Sequence, residues 1–63
     1  MSTLNTKPNL ARPDDVYEHL LSVHEGKSKE ESDAINARLV LILANHIGDP
    51  DVITEACDLA ANP

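Results

Sequence analysis

The chain has 63 residues, one tyrosine, one cysteine and neither tryptophan nor phenylalanine, so it holds at most one domain, with an aliphatic core and no internal disulfide. Eleven acidic against five basic residues give a formal charge of −6, which disfavours a nucleic-acid ligand because affinity for phosphate backbones rests on Lys and Arg. No apolar run approaches the roughly 18 residues of a membrane-spanning helix, and MSTLNTKPNLARP has no signal-peptide organisation, so a cytoplasmic protein without a membrane partner is expected.

Residues 1–12 are rich in Asn, Thr, Lys and Pro and show no helical period. They read as an extended N-terminal arm, because Pro8 and Pro13 bias the residues before them to extended conformations. Leu4 and Leu10 are its large apolar side chains beyond Met1; they either pin the arm to the helices or enter a partner.

A single helical domain is expected over 13–63. Its first helix, about 13–25, opens on Pro13, whose missing N–H costs nothing at that position, followed by Asp14 and Asp15 at the positive end of the macrodipole. Val16, Leu20 and Val23 form its stripe, with Tyr17, Leu21 and His24 on the shoulder. Gly26 and Lys27 then make a connection short enough to leave the first two helices antiparallel neighbours.

The central helix, about 29–47, carries the clearest signals. Ser28 and Glu31 have the spacing of a capping box, while Gly48 and Pro50 end the helix. At 100° per residue Ile35, Leu39, Ile42, Leu43 and His46 share one arc, the stripe of a helix laid on a core. Ala37, Val40, Leu41, Ala44 and Ile47 form a second arc on much of the opposite side. A helix apolar nearly all round needs cover nearly all round. Two short neighbours do not supply it, so this second arc is the expected intermolecular interface.

The third helix, about 50–61, starts with Asp49 as N-cap, Pro50 at the first position and Asp51 complementing the dipole. Val52, Ala56 and Leu59 face one way, with Ile53 and Ala60 beside them, and the small residues allow close approach to the central helix. The fold class is therefore all-α, a small three-helix bundle or a helical hairpin plus third helix, with an extended N-terminal arm.

Candidates for chemistry are weak. His19 and His24 lie five apart, off the i, i+4 spacing of a helical metal pair, and Cys57 has no CxxC partner and reads as a small semi-buried hydrophobe. His46, with Asn45, is the one candidate for a pocket, since it sits in the main arc near the negative end of the helix, where an imidazolium is favoured. Without a nucleophile or orienting carboxylate at defined spacing, a core-packed ring is the simpler reading. No catalytic residue, metal site or cofactor is expected.

The segments Leu4-Asn5-Thr6-Lys7-Pro8-Asn9-Leu10 and Asn36 to Asp49, the latter ending Asn45-His46-Ile47-Gly48-Asp49, resemble a family of short bacterial proteins catalogued as a domain of unknown function. The resemblance covers nearly the whole chain; members of that family look like neighbours of flavin-dependent aromatic hydroxylases and similar catabolic enzymes, which implies an accessory role at most. It directs interest to Asn5, Asn36, Asn45 and His46 and assigns them no chemistry. The expectation is a small non-catalytic interaction or accessory protein, a homodimer or a heteromer docked on a larger, flavin-dependent catabolic enzyme. The alternative is a minimal ligand-binding or enzymatic unit with a pocket around His46.

Overall fold

A computed structural model describes residues 3–63; Met1 and Ser2, the first two residues of the expected arm, lie outside them. Three helices and no strand occur among the described residues: α1 (Pro13–Ser22), α2 (Lys29–Ile47) and α3 (Pro50–Ala61). The protein is all-α, with an N-terminal segment that joins no helix.

That segment is held at two points. The Asn5 side-chain oxygen accepts from the Lys7 N–H at 3.0 Å, a local turn of the kind asparagine makes. The Leu4 N–H donates to Glu55 Oε2 of α3 at 3.1 Å. Leu4 is half-buried while Leu10 is 60% exposed, so only the first of the two leucines pins the arm.

The entry to α1 departs from the extended backbone expected before Pro13. Arg12 is left-handed, at φ 49° and ψ 60°, and its side chain makes no capping bond; its carbonyl accepts from the Val16 N–H at 3.2 Å. The helix also ends three residues earlier than its apolar pattern. After Ser22 the N–H groups of His24, Glu25 and Lys27 donate three residues back, to Leu21, Ser22 and His24, so the chain tightens into successive 3₁₀-type turns. Gly26, at φ +71°, then turns it away.

The start of α2 is the capping box the sequence encodes. Ser28 Oγ accepts from the Glu31 N–H at 3.2 Å and the Ser28 N–H donates to Glu31 Oε1 at 3.0 Å. At its end Gly48 is left-handed at φ 72°, with its N–H on the Ala44 carbonyl at 2.9 Å. Asp49 caps α3 by accepting from the Asp51 and Val52 N–H groups at 2.9 and 3.4 Å. Pro50 opens the helix.

Packing is where the molecule differs most from expectation. The helix α3 folds back on α2, but no Cα of α1 comes within 8 Å of either. The short connection leaves α1 and α2 as separate rods, not packed neighbours. No described residue is fully buried. The chain measures 41 × 25 × 23 Å with a radius of gyration of 13.4 Å, against about 11 Å for a compact domain of this length. Its accessible surface is 5611 Å², against about 4,000 Å² for a compact monomer of this mass. The excess, about 1,600 Å², is partly the arm. The helices supply the rest, since nine of the ten exposed large apolar residues lie on them.

Candidate functional site: an apolar groove between α2 and α3

The turn at Gly48 and Asp49 is short, so α3 starts close to the end of α2 and the two diverge into a groove. One wall is Val40, Leu43, Ala44 and Ile47 of α2; the other is Ile53, Ala56, Cys57 and Ala60 of α3. None of these residues is an Asp, Glu, Lys, Arg or His. Spacing explains why. At about 100° per residue, the α2 lining falls in one arc and Arg38 lies on the other side of the helix. On α3, Asp51, Glu55 and Asp58 fall opposite the lining residues. The arm's bond to Glu55 therefore holds Leu4 away from the groove.

The expected interface residues are only partly brought together. Val40, Ala44 and Ile47 line the groove, with Val40 64% and Ile47 50% exposed and Ala44 half-buried. Ala37 and Leu41 are exposed on its flank, Leu41 at 71%. Leu43, assigned from periodicity to the core arc, is half-exposed and belongs to the groove instead. The α3 residues were not among the expected interface residues; the small residues of α3 were expected to bring it close to α2, and Ala56, Cys57 and Ala60 also form the second wall of the groove.

The core arc is likewise not a core within the chain. Ile35 and Leu39 are half-buried, but Ile42 is 64% exposed and His46 is exposed. A core-packed imidazole is thus not what this chain contains. Asn45 is exposed too, so neither side chain is enclosed. Cys57, expected to be semi-buried, is an exposed free thiol on the groove wall.

Other depressions lie along α1 and beside the start of α2. One is lined by Asp15, Glu18, His19 and Ser22, all from α1, with Ser22 Oγ donating to the His19 carbonyl at 2.7 Å. No group of three or more His, Cys, Asp or Glu side chains that could hold a metal ion occurs among the described residues. No helix among the described residues is long and apolar enough to cross a membrane. The Glu31 carboxyl is held below its ordinary range by the bond from the Ser28 backbone N–H, then by the Ser28 side chain. It is a structural cap, distant from the groove in sequence.

Fold and site together define a small helical protein with an apolar surface groove between α2 and α3. The chain belongs to the family described as a protein of unknown function, DUF2783, whose model matches residues 4–62. No curated protein and no solved structure matches it.

Proposed function

We propose that this protein is a non-catalytic helical interaction module that acts in the cytoplasm by presenting the apolar surface of α2, with α3, to a protein partner, either another copy or a larger enzyme. The observation that carries this reading is the exposure of Val40, Leu41, Ile42, Leu43 and Ile47, each at least half accessible, in a chain whose described residues include no fully buried one. Apolar patches of this extent on a small protein mark association surfaces, and scaffolds of this size depend on association, metal or disulfides for stability. A larger enzyme of the flavin-dependent catabolic kind is the heteromeric partner that the family resemblance implies. The exposed Asn45 and His46 offer nothing to close around a ligand, so a pocket at that place has no support.

Sedimentation equilibrium of the purified chain, together with affinity capture from its native host, tests the reading. Self-association, or a partner retained stoichiometrically and lost on Val40→Glu, is the expected result. A stable monomer at high concentration that captures nothing would contradict it.

A further inference from the structure

We infer that residues 4–12 are a releasable strap, latched on Glu55 of α3 at one end and strained at Arg12 at the other, which sets the direction of α1 and frees that helix to swing when the latch opens. The strap is independent of which partner the apolar surface of the hairpin takes.

The helix α1 packs on neither α2 nor α3, so its direction depends on what holds its two ends. At the C-terminal end the tight turns after Ser22 lead to Gly26, where an added Cβ would meet nothing within 4 Å. The rest of the molecule does not brace that connection, and short segments of this kind serve as hinges. The N-terminal end is braced. The Leu4 N–H donates to Glu55 Oε2 at 3.1 Å, and Leu4 is half-buried. At about 100° per residue Val52 and Leu59 share the face of α3 that carries Glu55, so the carboxylate that Leu4 meets is flanked by an apolar pair.

Arg12 shows that the strap is under load. Its backbone is left-handed, at φ 49° and ψ 60°, which is uncommon for a residue with a side chain and goes against the extended backbone that a following proline favours. Such a conformation persists only where the surroundings hold it. Nothing local does so, because the Arg12 side chain makes no capping bond and its carbonyl bond to the Val16 N–H is the ordinary first bond of a helix. The tie that remains is at the far end of the arm, at Leu4. Between the two, the turn in which Asn5 Oδ1 accepts from the Lys7 N–H at 3.0 Å takes up length and keeps the strap short.

One exposed hydrogen bond and one half-buried leucine make a light latch, so the latched and released states differ little in free energy. A group that competes for the Glu55 carboxylate, a Lys or Arg side chain of a partner above all, shifts the balance to the released state. Arg12 then relaxes to extended backbone, and α1 changes direction with it.

Cys57 is the only cysteine and is exposed on α3, so a spin label there and a second on Glu18→Cys, an exposed position of α1, read the distance between the two helices. Labelled chain is diluted in an excess of unlabelled chain, so that only distances within one molecule are measured. The expected result is one narrow distance distribution when Leu4 and Glu55 are both present, and a distribution at least about twofold broader for Glu55→Ala and for Leu4→Ser, because each opens the latch. Glu55→Gln should stay narrow, since its amide oxygen still accepts the Leu4 N–H. Helix content by circular dichroism should be the same throughout. Leu4→Ser lies outside the helices, so broadening there cannot come from a damaged α3. A distribution already broad before either substitution overturns the inference, and so does a narrow one that Leu4→Ser and Glu55→Ala leave unchanged.

Discussion

Ser28 and Glu31 account for the start of the longest helix, and their exchange of hydrogen bonds makes a pH-dependent prediction. Glu31's carboxyl is held below its ordinary range mainly by the Ser28 N–H, with the Ser28 hydroxyl adding to it. A depressed carboxyl contributes stability that is fully present above its unfolded value and is lost as pH falls through the lowered folded value. Ser28→Ala should cost about 1 kcal/mol of helix stability at neutral pH, read by circular dichroism in denaturant. The gap between it and the natural chain should narrow in acid, as Glu31 is protonated. An unchanged gap at low pH would show that the Ser28 hydroxyl does not help to hold the Glu31 carboxylate, whose bond from the residue 28 backbone N–H the variant retains. Gly48 is a second residue with a definite role. A Cβ there would meet nothing closer than the Asn45 carbonyl oxygen at 3.8 Å, so Gly48→Ala should be penalised by its left-handed backbone alone, about 1–2 kcal/mol, and not by a clash.

These residues were legible in the sequence because caps act locally. The capping box, the terminal glycine and the Asp-Pro-Asp start of α3 each fix the backbone within a few positions, and the limits of α2 and α3 fell where those signals put them. Arg12 was not legible. The rule that a residue before proline is extended describes the common case, and the chain instead takes a left-handed step there to enter α1.

At the scale of elements, the three helices differ in what supports them. The helix α1 spans 10 residues, below the about 12–15 at which an isolated helix is even marginal in water, and it rests on neither neighbour. Amide hydrogen exchange should therefore find α1 the least protected helix and the facing segments of α2 and α3 the most. Equal protection in all three would show that α1 is packed in solution. The arm is tied more lightly still. Removing the acceptor with Glu55→Ala should raise the backbone mobility of residues 4–10 in NMR relaxation while leaving helix content unchanged, since one exposed hydrogen bond is worth about 1 kcal/mol.

Periodicity could not foresee this difference among elements. The apolar period of α1 continues through Val23 and His24, so the pattern predicts a helix to about residue 25. The hydrogen bonds instead shift to three-residue spacing after Ser22. Likewise a stripe shows which residues want cover but not what covers them. Leu43 and His46 read as core for that reason, and both are open on the single chain.

Considered whole, the molecule is a hairpin of two helices carrying a separate rod and a tethered arm, with apolar surface left over on the hairpin. That surplus was foreseen as a property of α2 alone, from the two arcs of apolar residues. Its shape as a groove with an α3 wall depends on how Gly48 and Asp49 set the angle between helices, which no local pattern states. Under the proposed function, association covers the apolar surface left on the hairpin and so completes this fold. Thermal unfolding followed by circular dichroism over a wide range of chain concentrations tests it most directly. If association stabilises the native state, the melting temperature rises steadily with concentration by mass action. A sharp transition at one temperature, the same at every concentration of the chain alone and unchanged by extract from its native host, would contradict it.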